Sequence, residues 1–211
     1  MKIKICGLKN QENILSLSRL NLDMMGFIFY AGSPRFVGGD VDSTILQSLP
    51  RSIERVGVFV DEKINVVLKN VNIFHLSRVQ LHGNESVIYC KKIADKMISV
   101  IKAFSIDDQF DFDQLKSYQQ VCDYFLFDTK GKNKGGNGIS FDWEILNCYK
   151  LNTPFLLSGG IGIDNIETAL KLSHPQLKGF DINSRIETEP GLKSIEETEK
   201  LIKKIRTHEF Y

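Results

Sequence analysis

Residues 155–181 read FLLSGGIGIDNIETALKLSHPQLKGFD. Phe155, Leu156 and Leu157 are apolar in succession, which suits a strand buried on both faces better than a half-exposed one. Ser158-Gly159-Gly160-Ile161 then turns the chain. Asp164 followed by Glu167 has capping-box spacing ahead of an apolar-periodic segment, so a helix is expected there. Lys178–Asp181 reads as the next strand. Strand, glycine turn, helix and strand make the crossover unit of a parallel sheet.

The same alternation runs through the rest of the chain. Lys2–Cys6, Met24–Phe29, Arg55–Val60, Arg78–Leu81, Ser99–Phe104 and Tyr124–Asp128 complete a set of eight candidate strands, several as apolar as the first. Asp61 is expected to cap a helix that places Ile64, Val67, Leu68 and Val71 on one face. Ser194 followed by Glu197 predicts the start of a last helix. Asp107 to Gln120 is polar with scattered Phe and predicts a short helix or none. Such alternation fits a closed eight-fold barrel or an open doubly wound sheet. Eight repeats in 211 residues, with no linker or low-complexity tract, favour one (β/α)8 TIM barrel domain over residues 1–211.

Composition narrows the function. Lys+Arg 27 against Asp+Glu 26 leaves a formal net charge of +1, which gives no electrostatic reason to expect nucleic acid or an anionic membrane as partner. Cys6, Cys90, Cys122 and Cys148 are widely spaced, without the C-x-x-C pairing of a zinc or redox site, so no disulfide framework is expected. The N-terminus lacks a long apolar stretch, and no run of about 18 apolar residues suggests a membrane span. A soluble, cytoplasmic protein is the expectation.

Barrels of this kind place their chemistry at the C-terminal ends of the strands. Cys6 closes the first strand; there its thiol is expected to be partly accessible, and a positive surround would favour the thiolate that a base or nucleophile requires. A free Cys is otherwise a small buried hydrophobe. Asp128 ends the sixth strand after Phe125-Leu126-Phe127. An apolar surround raises a carboxyl's pKa and fits it for general-acid work, although a turn or cap role is the plainer alternative. The two residues are expected to face each other across the barrel mouth.

Glycine-rich turns follow strands six and seven, at Gly135-Gly136-Asn137-Gly138 and Ser158-Gly159-Gly160-Ile161. Glycines let backbone N–H groups approach a phosphate, and the loops after strands seven and eight are where such sites form. Asp181-Ile182-Asn183-Ser184-Arg185 follows strand eight, where a short helix start and a cation could complete the site. Gly136, Asn137, Gly138, Gly159, Gly160, Asn183 and Ser184 are therefore the phosphate-binding candidates. Arg35, in Ser33-Pro34-Arg35, offers a planar fork for a carboxylate or phosphate. Together with Gln80 and His82 at the end of strand four it forms the substrate-binding set; taken singly, Arg35 reads as a surface arginine and His82 as a hydrogen-bonded structural residue.

Taken in order, Lys4-Ile5-Cys6-Gly7, Gly26-Phe27-Ile28-Phe29, Ser33-Pro34-Arg35, Val56-Gly57-Val58-Phe59, Val79-Gln80-Leu81-His82-Gly83, Gly135-Gly136-Asn137-Gly138, Phe141-Asp142-Trp143, Leu157-Ser158-Gly159-Gly160-Ile161 and Pro190-Gly191-Leu192-Lys193 resemble the phosphoribosylanthranilate isomerase family of tryptophan biosynthesis. The resemblance implies an Amadori rearrangement of a phosphorylated small molecule without metal or organic cofactor, by a monomer or homodimer. It assigns Asp128 as the acid that protonates the ribose ring oxygen, Cys6 as the base at the sugar C2, and Arg35 as the holder of the anthranilate carboxylate. Asn137 stands where the family often has Ser or Thr, and Asn183-Ser184-Arg185 where many members have Ser-Ser-Gly. Another sugar-phosphate isomerase or epimerase barrel would be expected to carry carboxylates where this chain has Cys6. A phosphate-ligand binding barrel without activity would tolerate loss of both Cys6 and Asp128.

Overall fold

In the computed structural model, which describes residues 1–39, 41–129 and 143–208, eight parallel strands pair in chain order and close on themselves. They are β1 (Lys2–Ile5), β2 (Met24–Ile28), β3 (Glu54–Phe59), β4 (Arg78–Leu81), β5 (Ser99–Ile106), β6 (Tyr124–Thr129), β7 (Phe155–Ser158) and β8 (Leu177–Ile182). The closure is the pairing of β1 with β8, in which Lys4 stands beside Asp181. The open doubly wound sheet is thereby excluded.

Two apolar layers hold the barrel. The outer one packs the helices against the outward residues of the strands, among them Ile3, Ile5, Phe27, Phe125, Phe127 and Phe155. The inner one is small: Met24, Val56, Ile101, Ala103, Leu126 and Leu156, drawn from β2, β3, β5, β6 and β7. Strand residues alternate between these layers because successive side chains point to opposite faces. Along β1 the inward positions carry Lys4 and then Cys6, and along β4 Gln80 faces inward as well, so polar groups interrupt this apolar layer.

The helices between strands are short. They comprise α1 (Gln11–Leu17), α2 (Ser43–Ser48), α3 (Ile64–Phe74), α4 (Val87–Ala94), α5 (Ile166–Leu170) and α6 (Ile195–His208). Ser194 caps α6 as its spacing predicts, accepting from the Glu197 N–H at 3.2 Å. Two expected caps are corrected. Asp61 lies in the turn before α3 at φ 48 and accepts from the Asn84 N–H, while α3 starts after Lys63 without a side-chain cap. Asp164 turns outward to Arg185, and α5 follows Asn165, whose side chain accepts from the Gly162 N–H. After β5 the polar segment forms a 3-10 helix, Phe112–Tyr118, seated by buried Phe112 and Leu115.

Past β8 the chain makes a 3-10 turn at Ser184–Ile186 and a small antiparallel hairpin of β9 (Glu187–Glu189) and β10 (Leu192–Lys193). Lys193 pairs with Glu187 in its register, and the Lys193 backbone is tied to the Asn13 side chain of α1. Among the described residues no helix is long and apolar enough to cross a membrane.

Candidate active site

The C-terminal ends of the strands surround a cavity of about 320 Å³. Its wall includes Cys6 from the end of β1, Gln80 and His82 from β4 and its extension, Asp128 from β6, and Gly159 and Gly160 after β7; Arg35 and Ser184 reach it from loops. Two strands, β7 and β8, separate β6 from β1, so Asp128 and Cys6 face one space from different sides. Their alternation with buried inner-layer residues fixes this: Leu126 points into the barrel two positions before Asp128 does the same, one layer higher.

Cys6 is less accessible than its position suggests. Its residue is only 3% exposed, because the sulfur packs against Gly26 of β2. Burial pushes the thiol pKa above its ordinary value, and the positive charge of Lys4 pulls it back only in part. The expectation of a partly exposed thiol is therefore corrected. Asp128, in contrast, has no apolar sheath: its side chain is about one-third exposed and its Oδ2 lies 3.5 Å from His82 Nε2. Gln80 Nε2 lies 3.3 Å from His82 Nδ1. With the Gln80 amide donating to Nδ1, the imidazole carries its proton on Nε2 and turns it towards Asp128.

Arg35 enters the cavity already engaged. Its Nε donates to Glu187 Oε1 at 2.8 Å and its Nη2 to Oε2 at 2.5 Å, the side-on edge of the guanidinium. Glu187 also accepts from Lys193 Nζ at 2.7 Å and from the Gly191 N–H. Burial works against this carboxylate, yet those bonds hold its pKa below the usual carboxylate value. Lys193 in turn donates to Asn183 Oδ1 at 2.7 Å, so the side-chain oxygen of that phosphate candidate serves the protein itself.

Gly159 and Gly160 follow β7 at φ 99 and 75, a conformation that L side chains rarely adopt and that brings the backbone close to the cavity. Ser184 begins the 3-10 turn after β8. Arg185 stands beside the Gly160 turn, its side chain 55% exposed and its Nη1 3.4 Å from Asp164. Gly136, Asn137 and Gly138 lie outside the described residues.

Four charged residues at the site receive no role from the sequence, although three of them stand in the segments quoted above: Lys4, Asp181, Glu187 and Lys193, all nearly inaccessible. The signal for Lys4 was present. Lys2-Ile3-Lys4-Ile5-Cys6 alternates, which puts Lys4 on the side of Cys6 in a barrel closed on both faces.

Comparison with known proteins bears on the same residues. The family described as N-(5'phosphoribosyl)anthranilate (PRA) isomerase matches residues 3–204. The N-(5'-phosphoribosyl)anthranilate isomerase of Parabacteroides distasonis is 42% identical over 206 residues, which are 97% of this chain and 93% of that protein. Among solved structures, phosphoribosyl anthranilate isomerase from Thermotoga maritima superposes with a TM-score of 0.87 at 33% identity, over 98% of this chain and 99% of that one. A phosphoribosyl anthranilate isomerase in complex with reduced 1-(o-carboxyphenylamino)-1-deoxyribulose 5-phosphate has a TM-score of 0.85 at 31% identity, with 98% and 99% covered.

Proposed function

The chain belongs to the N-(5'-phosphoribosyl)anthranilate isomerase family, and from that premise we propose how its barrel mouth divides the family's reaction among named residues. The reaction is the Amadori rearrangement of N-(5-phosphoribosyl)anthranilate to 1-(2-carboxyphenylamino)-1-deoxyribulose 5-phosphate, in tryptophan biosynthesis. The observation that carries the assignment is one cavity into which Cys6 and Asp128 both open, with the glycine turn after β7 in the same wall.

Asp128 gives its proton to the ribose ring oxygen. The C1–O bond breaks, and the anilino nitrogen lone pair forms the iminium. Cys6, as thiolate, then removes the proton from C2; the C–H electron pair becomes the C1=C2 bond and neutralises the iminium. The resulting enolamine tautomerises to the ketone. Such a pair must start in opposite protonation states, one acid and one base, and each placed group contributes on the order of 10²- to 10⁴-fold. His82 positions Asp128 through its Nε2 proton.

The two ends of the substrate are held apart from the chemistry. Side-on engagement by Glu187 leaves Nη1 and the outer proton of Nη2 on Arg35 for the anthranilate carboxylate, a planar bidentate match. The N–H groups after β7 and the start of the 3-10 turn at Ser184 receive the phosphate. Gln80 stands in the cavity wall where the ribose would lie, its buried Oε1 without a hydrogen-bond partner among the described residues. Membership of a biosynthetic isomerase family is what supports a cytoplasmic enzyme acting on a phosphorylated small molecule, as monomer or homodimer.

Purified protein supplied with N-(5-phosphoribosyl)anthranilate tests the assignment, with the product identified by NMR. The expected product carries a C2 ketone and a C1 methylene on the anilino nitrogen. An unchanged substrate, or a product epimerised but still an aldose, rejects it.

A further inference from the structure

Where β1 meets β8 the barrel interior carries an ion pair in place of hydrocarbon. There Lys4, fully buried, donates to Asp181 Oδ1 at 2.8 Å. A buried ion pair is at best about neutral to stability against a well-packed apolar pair, so its place directly beneath Cys6 calls for another reason. Lys4 and Cys6 are two positions apart on one strand line and face the same side. Gly26 of β2 stands against both: a methyl group there would lie 2.7 Å from Cys6 Sγ and 3.1 Å from Lys4 Nζ. Thiol and ammonium share the space that this glycine leaves open.

We propose that Lys4 is a positioning residue for the reaction, its ammonium, held by Asp181, supplying the counter-charge to the Cys6 thiolate that takes the C2 proton. The inference rests on Cys6 being the base. Burial opposes the thiolate, and of the groups that act on Cys6 the strongest pull towards it comes from Lys4. Lys193 of β10 pulls the same way, while Asp181 of β8 pushes against it. Arg35, His82 and Asp128 are the other charged or titratable groups on the cavity wall. Asp181 thus gives orientation at an electrostatic cost to the base. Burial alone would press the Lys4 ammonium towards neutrality, but Asp181 and Cys6 outweigh it and raise its pKa. Lys4 therefore keeps its proton throughout. As the C2–H bond breaks, the S–H bond forms, and the electron pair passes to C1=C2 and the iminium.

The test follows Cys6 alkylation by iodoacetamide against pH, read by mass spectrometry on the Cys6 peptide, together with the pH profile of kcat/KM. Lys4→Met removes the cation. The double variant Lys4→Met/Asp181→Asn also removes the carboxylate left unpaired, which protects against loss of the fold. In the double variant, neutral-pH alkylation should fall about ten-fold or more relative to Asp181→Asn alone, and the acid limb of kcat/KM should move up by about one pH unit. Lys4→Arg, which keeps a cation, should hold the limb near that of the parent. Superimposable alkylation profiles for Asp181→Asn and the double variant overturn the proposal, as does an activity loss equal at every pH, the mark of a structural role. Should Cys6→Ser turn over like the parent, the base reading fails instead, and the alkylation profiles still report on Lys4.

Discussion

Arg35 shows how one neighbour turns a flexible side chain into a fixed recognition element. Glu187 occupies its Nε edge, so the guanidinium plane is set before substrate arrives and less ordering is left for binding. Glu187→Gln keeps the shape but loses the charge, and should raise KM about five- to ten-fold with kcat within about three-fold, as a loss of uniform binding does. Steady-state kinetics decide; an unchanged KM with reduced kcat would place Glu187 in the chemistry instead. The same carboxylate gives a pH signature. Its pKa is held below the ordinary value, so its contribution to stability is present above about pH 4.3 and is lost as pH falls through the lower folded value. Acid unfolding followed by circular dichroism should therefore be shallower in Glu187→Gln. The placement of Cys6, Asp128 and Arg35 at one cavity was legible because each ends a strand or follows one. Lys4, Asp181, Glu187 and Lys193 were not, because charged residues in strands and hairpins read as solvated until the topology buries them.

Strands were the readable elements. Phe155–Ser158 has the bounds that its apolar run suggests, since a strand covered on both faces leaves no polar alternation to blur the ends, and Arg78–Leu81 keeps its expected bounds although polar and apolar residues alternate along it. Helix starts were read less well. Ser194 caps α6, but Asp61 and Asp164 are claimed by Asn84 and Arg185, competitors from distant parts of the chain. Spacing alone does not show those rivals. Ser194→Ala should cost about 1 kcal/mol in urea unfolding, the ordinary worth of a capping hydroxyl; an unchanged midpoint would mean that α6 is held by packing alone. The β1–β8 seam is stricter. A methyl group on Gly179 would meet the Lys2 carbonyl oxygen at 2.0 Å, a backbone atom that cannot rotate away. Gly179→Ala should destabilise by about 3 kcal/mol or more and lower activity with it, because the same seam carries Lys4 and Asp181.

At the scale of the molecule, barrel closure is what makes a site from scattered residues. Cys6 and Asp128 are 122 positions apart in sequence, yet both look into one cavity because β1 pairs with β8 and β6 with β7. The turns after β7 and β8 close its other side, so inorganic phosphate should compete with substrate, raising KM and leaving kcat unchanged. Indifference to phosphate at high concentration would move the anion site elsewhere. The central claim is that this mouth joins one acid, at the ribose ring oxygen, and one base, at the neighbouring C2 of the opened sugar. Turnover of N-(5-phosphoribosyl)anthranilate by the parent, Cys6→Ser and Asp128→Asn proteins, with all three shown to be folded, tests it most directly. The account predicts turnover by the parent and losses on the order of 10²- to 10⁴-fold in kcat/KM for each variant. Parent-like turnover by either variant would contradict it.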